Sequence, residues 1–123
     1  MIVISNTFSL KMIGYNGNSE PDNNKKSVKI LVESITVDEI RHLIEYNEWA
    51  SIVGHSSTAR LFSQTLGALI SCNRVNYIME PEDILIVGLV NTSRLPEGVI
   101  LTDNDLKDVN IDWRKVTLIW QDM

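Results

Sequence analysis

The chain has 123 residues, a net charge of −5 and 44% hydrophobic residues. That size suits one domain with its own core, and the acidic balance argues against a protein that coats DNA or RNA through clustered Lys and Arg. No apolar run reaches the roughly 18–20 residues needed to cross a bilayer. The opening Met1-Ile2-Val3-Ile4-Ser5 is too short and uncharged for a signal peptide, so a cytoplasmic protein with no membrane partner is expected.

Met1 to Ser5 reads as a first strand, followed at once by Asn6-Thr7-Phe8-Ser9-Leu10. Ser9 is placed to cap a short helix through Ile13 or to meet a ligand together with Asn6. The stretch from Gly14 to Lys26 is rich in Gly, Asn and Lys and reads as a loop, either an inert insertion or a lid. Val28, Ile30 and Val32 alternate with Lys29, Leu31 and Glu33, a strand pattern. Thr36 and Glu39 form the ends of a capping box, and Val37, Ile40, Leu43 and Ile44 give the helix behind it one apolar face, fading at Tyr46-Asn47.

Ala50-Ser51-Ile52-Val53 is short and apolar and leads into Gly54-His55. A second helix is expected with Ser56 or Ser57 as its cap and Ala59, Phe62, Leu66 and Leu69 on its inner face. Arg74 to Glu80 alternates weakly, as a strand would. Ile84 to Val90 is a near-continuous apolar run, the signature of a central strand buried on both faces. Thr102 is placed to cap a short helix through Val109, and Val116 to Trp120 reads as the last strand. This order lacks strict strand-helix alternation. It predicts a single α+β (mixed α/β) domain over residues 1–123, a central mixed sheet flanked by helices.

Two short segments carry chemistry. In Gly54-His55-Ser56-Ser57-Thr58, a histidine precedes a helix whose first N–H groups have no i−4 acceptor, a natural anion site. A phosphate held there by Ser56 and Ser57 would lie within reach of His55, whose imidazole can protonate a departing oxygen. In Arg94-Leu95-Pro96-Glu97-Gly98, a turn leaves the most buried strand; Arg94 suits a phosphate and Glu97 suits a base or a group that orients ribose. The same segments also read as an ordinary cap-adjacent histidine and an ordinary Pro-Gly turn. His42 is expected on the solvated side of the first helix, and Trp49, Trp113 and Trp120 in the core or a subunit contact. Cys72, the only cysteine, is expected in the core; one Cys and two His fall short of a zinc set, and Asp103, Asp105 and Asp108 lack the spacing of a calcium loop, so no metal or cofactor is expected.

Four segments together resemble the viral ring nucleases, also described as type III anti-CRISPR enzymes. They are Ser5 to Met12, Gly54 to Thr58, Asn73-Arg74-Val75 and Arg94 to Leu101, and the resemblance spans most of the chain. It implies a metal-independent phosphodiesterase that binds cyclic tetra-adenylate and cuts it to linear di-adenylate, switching off type III CRISPR signalling. It implies His55 as general acid, Glu97 as the catalytic carboxylate, Arg94 as a ligand-binding arginine, and Asn6 and Ser9 as further ligand contacts. Ser56 stands where the family often has an acidic residue, Ser93 where it often has Gln, and the Asn-rich loop is longer than usual. A ring of four identical nucleotides matches a two-fold homodimer, with His55 of each subunit near opposite phosphates. The alternatives are a protein that sequesters the messenger without cutting it, a small viral or phage regulatory protein that binds a host protein or, against its acidic composition, DNA, and a purely structural dimerisation domain.

Overall fold

The structure is a computed structural model that describes residues 1–14, 26–90 and 109–122. Its elements in order are β1 (Ile2–Ser5), a 3-10 turn (Leu10–Met12), β2 (Lys26–Ser34), α1 (Val37–Tyr46), β3 (Trp49–Ser51), α2 (Ser56–Leu66), β4 (Ile84–Val90) and β5 (Ile111–Asp122). The strands form a mixed five-stranded sheet in the order β2-β5-β4-β1-β3. β1 runs parallel to both β3 and β4, while β5 runs antiparallel to β4 and β2. The expected α+β class holds, with one difference in layering: both helices pack in the same core cluster, against the Ile2, Ile4, Ile86 and Trp113 side of the sheet. The other side, with Val3, Leu85, Val87, Val116 and Leu118, is covered by Phe8, Met12, Ile13, Tyr77 and Met79.

The alternation of apolar residues explains this split. Successive strand residues face opposite sides, so Ile2 and Ile4 feed one cluster and Val3 the other. β4 is buried on both faces from Leu85 to Gly88, but Ile84 and Val90 are half-buried and Leu89 is 46% exposed, so the burial expected of the whole apolar run holds only for its middle. α1 begins at a complete capping box: Thr36 Oγ1 accepts from Glu39 N–H (3.2 Å), and Glu39 Oε1 accepts from Thr36 N–H (3.2 Å). Its Ile40 is fully buried, and Val37, Leu43 and Ile44 pack beside it. His42 is exposed, its ring 4.7 Å from that of Tyr46.

Several expectations need correction. α2 is capped by His55 rather than by Ser56 or Ser57. It stops at Gly67, whose φ of 68° is left-handed and whose N–H donates to Ser63 O. Leu69 therefore falls beyond the helix and is exposed, while Ala59, Phe62 and Leu66 are buried. Arg74 to Glu80 is not a strand: only Met79 forms an isolated bridge, with Ile13. A short strand appears instead at β3, too brief for alternation to be legible. Cys72 is exposed, because the segment after α2 runs along the surface. Lys26 begins β2 rather than ending the loop, and Gly14 is buried. The rest of that loop and the helix expected from Thr102, apart from Val109, lie outside the described residues.

Gly88 is required by close approach. Phe62 of α2 and Trp113 of β5 meet over it, with ring centroids 4.7 Å apart and planes tilted by 53°. A Cβ there would overlap Phe62 Cζ and stand 2.7 Å from Trp113 Cζ3. Gly88→Ala is expected to destabilise the protein by about 1–3 kcal/mol through overpacking, read as a lower midpoint of urea unfolding.

On the opposite face, Asp83 is buried and accepts from the Tyr77 hydroxyl and from Glu80 N–H (2.9 Å). Burial first, then the hydrogen bond to Asp83 and the negative charges of Asp83 and Glu80, push the Tyr77 phenol far above its usual 10.0. A raised pKa stabilises the fold at every pH below the unfolded value near 10, and that contribution is lost as pH rises beyond it. Tyr77→Phe should cost about 1–3 kcal/mol at neutral pH by leaving Asp83 short of a donor. Urea unfolding of both proteins across an alkaline series should show the gap shrinking above about pH 10.

Candidate functional site

The site is built where parallel strands end. Because β3, β1 and β4 are mutually parallel neighbours, their carboxyl ends lie on one edge of the sheet. Ligands of open α/β sheets bind outside that edge. Asn6 follows β1 directly, His55 follows β3 by way of Ile52–Gly54, and the chain leaves β4 at Val90. Arg94 and Glu97 follow Val90 in sequence but lie outside the described residues.

Hydrogen bonds fix the exits of β1 and β3. After β1, the fully buried Ser5 donates through Oγ to Thr7 O (2.7 Å) and accepts from Thr7 N–H (3.1 Å). This small side-chain turn ends the strand and presents Asn6, whose Oδ1 accepts from Gly54 N–H (3.3 Å). After β3, Asn73 holds the chain at two points: its N–H donates to Val53 O (2.7 Å) and its Nδ2 to Ser51 O (3.0 Å). Arg74 then donates through Nε (2.9 Å) and Nη2 (2.6 Å) to Gly54 O. The corner before His55 is thus gripped by Asn6 on its N–H and Arg74 on its C=O. Gly54 does not adopt a positive φ, and a Cβ there would meet Arg74 at an ordinary 3.5 Å. The grip, rather than glycine's freedom, shapes this corner.

His55 is half-buried and stands at the N-cap position of α2 with extended backbone (φ −136°, ψ 124°). Its carbonyl accepts the first backbone bond of the helix, from Ala59 N–H (3.0 Å). Thr58 Oγ1 lies 3.4 Å from Nδ1, a long contact on one side of the ring. Ser56 is exposed, whereas Ser57 is only 2% exposed, so of the two serines it is Ser56 that stands open at the helix end. Ser9 is exposed at the start of the 3-10 turn and makes no side-chain capping bond there. It lines a hollow of about 340 Å³ with Ser5, Thr7, Lys11, Ile52 and Tyr77, next to the β1 exit. Among the described residues no group of three or more His, Cys, Asp or Glu is arranged to hold a metal.

The structure brings Asn6 and Arg74 to the corner before His55, whereas Ser9 and Lys11 line the hollow beside the β1 exit and Ser56 lines a separate hollow with Arg60, Gln64 and Cys72; spacing alone had assigned no chemistry to Arg74 or Lys11. Arg74 was legible only as part of a motif. Its contact with Gly54 spans 20 positions of sequence, which no local pattern encodes.

A family profile described as STIV B116-like matches residues 2–113. The chain belongs to the STIV B116-like family. The matched span covers all of the site segments. Relatives come from a virus and from a bacterium. Protein 26 of Sulfolobus islandicus filamentous virus (isolate Iceland/Hveragerdi) is 31% identical over 85 residues, covering 68% of this chain and 71% of the relative. YddF of Bacillus subtilis (strain 168) is 31% identical over 88 residues, covering 69% and 80%. The solved structure of B116 of Sulfolobus turreted icosahedral virus superposes with a TM-score of 0.68 at 21% identity, over 94% of this chain and 97% of that one. At that identity the likeness establishes the family fold. No helix among the described residues is long and apolar enough to cross a membrane.

If the Arg74 grip positions His55, Arg74→Ala should raise amide hydrogen exchange at Gly54 to Thr58 while leaving β4 protected. The exposed location of Arg74 limits the global cost to about 1 kcal/mol.

Proposed function

We propose that this edge binds cyclic tetra-adenylate and cleaves it without a metal to linear di-adenylate, acting as a ring nuclease that switches off type III CRISPR signalling. The observation that carries the reading is the placement of His55: a half-buried imidazole at the N-terminus of α2, on the carboxyl edge of the parallel strands, beside the Asn6 and Arg74 grip. A helix N-terminus and nearby cations attract a phosphate even in a chain of net charge −5. The adjoining hollow mixes hydroxyls with Ile52 and Tyr77, a lining suited to a nucleoside.

In this mechanism the protein holds the ribose 2′ oxygen in line with the phosphorus and the departing 5′ oxygen. Such alignment supplies much of the acceleration. The 2′ oxygen attacks, and His55 gives its proton to the 5′ oxygen as the P–O5′ bond breaks. The product ends in a 2′,3′-cyclic phosphate because the nucleophile belongs to the substrate. Arg94 and the backbone at Ser56 and Ser57 stabilise charge on the phosphorane, Glu97 takes the 2′ proton or orients the ribose, and Asn6 and Ser9 contact the ligand. A homodimer with its dyad at this edge presents two His55 residues to the ring, and two cuts give two dinucleotides.

The test is incubation with cyclic tetra- and hexa-adenylate in EDTA, with products separated by chromatography. His55→Ala should lower turnover by roughly 10²–10⁴-fold and leave binding of cyclic tetra-adenylate within a few-fold. Cleavage that needs added magnesium overturns the metal-free scheme. Tight binding with no cleavage by the unaltered protein means sequestration instead.

A further inference from the structure

β1 and β3 are parallel neighbours, and each ends in a buried serine, Ser5 at 0% exposure and Ser51 at 6%. Both hydroxyls accept from the backbone N–H two residues on, Ser5 from Thr7 (3.1 Å) and Ser51 from Val53 (3.3 Å). That small turn lets a strand stop. The two serines differ in where they donate. Ser5 Oγ returns to Thr7 O, so its bonds are local. Ser51 Oγ reaches Ser71 O at 2.6 Å, across 20 positions of sequence.

A buried hydroxyl is costly unless it is bonded, and an alanine fills almost the same space. What the Ser51 hydroxyl adds is therefore a tether rather than packing. Ser71 begins a strap that runs beside the β3 exit as far as Arg74. Cys72 forms a parallel bridge with Val53, Asn73 Nδ2 donates to Ser51 O, and Arg74 donates to Gly54 O. Each residue of the strap thus meets the chain between Ser51 and Gly54, and His55 comes next. The members of this latch are unequal. Asn73 and Arg74 are exposed, so water competes for their donors. Ser51 is buried, and Val53 is fully buried. Without the hydroxyl, Val53 N–H loses an acceptor where water does not reach, and Ser71 O loses a donor. An unmet buried donor is costly, so the exit shifts toward another partner, and the chain that shifts leads straight into His55.

We propose that Ser51 is a positioning residue for His55: its hydroxyl latches the strap Ser71–Arg74 to the β3 exit and so fixes where the imidazole stands. This assignment rests on His55 being the proton donor of the proposed cleavage. Ser51 acts through the backbone. A displaced acid slows the chemical step and leaves substrate binding almost as it was.

The chain has two histidines, and the exposed His42 on α1 serves as an internal reference. In proton–carbon correlation spectra of the full chain, with the imidazole signals assigned by His42→Gln, Ser51→Ala should move the His55 signal and leave that of His42 in place. The same variant should lower kcat on cyclic tetra-adenylate roughly tenfold or more while KM stays within about twofold. Ser51→Thr keeps the hydroxyl on a side chain that suits a strand and should restore both; Ser51→Cys, a weaker donor, should fall between. Ile40→Val trims a buried side chain of α1 and controls for a general loss of stability, so it should change neither readout. A His55 signal indifferent to Ser51→Ala overturns the proposal, and so does an equal response to Ile40→Val. An unaltered protein that leaves cyclic tetra-adenylate uncut overturns the nuclease reading, and the imidazole signal then tests the latch by itself.

Discussion

The parallel pairing of β1 on both of its sides is the constraint from which the rest follows. All four of its residues are buried, Ile2 and Ile4 in one cluster and Val3 in the other. It therefore ties the two halves of the core together. Parallel neighbours cannot be joined by tight hairpins and need long crossovers. The crossover from β1 to β3 contains β2 and α1, and the one from β3 to β4 contains α2. The same pairing brings three strand exits to one edge, so segments far apart in sequence become neighbours there.

The chemistry of that edge rests on backbone more than on side chains. Asn6 and Arg74 engage the N–H and C=O of Gly54, and Asn73 engages Val53 and Ser51. These bonds deliver His55 to the start of α2 in an extended conformation. Arg74 at this corner and the start of α2 each bring positive charge beside His55 on an acidic protein. Electrostatics at that range are set by the nearest groups, since solvent charges beyond about 10 Å are screened at ordinary salt.

The sheet's two margins differ in chemistry. The carboxyl edge of the parallel strands is rich in hydroxyls, amides and cations. The outer flank of β2 is apolar at its centre and carries opposite charges at Lys29 and Glu33.

Elements whose cause is local were legible in the sequence. The capping box at Thr36 and Glu39, the buried run of β4, and the alternation of β2 each depend on residues a few positions apart. His55 was legible as a candidate because Gly, His and hydroxyl residues before a helix are a local pattern. What the tertiary structure alone decided depends on long-range contacts. Arg74 reaches Gly54 across the surface, and the strand expected from Arg74 to Glu80 yields to side-chain anchoring by Asn73 and Tyr77. Cys72, expected in the core, is carried outward, and Ser57, expected to cap α2 or hold a phosphate, is carried inward. Residue order sets which backbone conformations are cheap over one or two turns. Which distant groups then satisfy one another is settled only when β1 inserts between β3 and β4, because burial and hydrogen bonding are properties of the packed sheet.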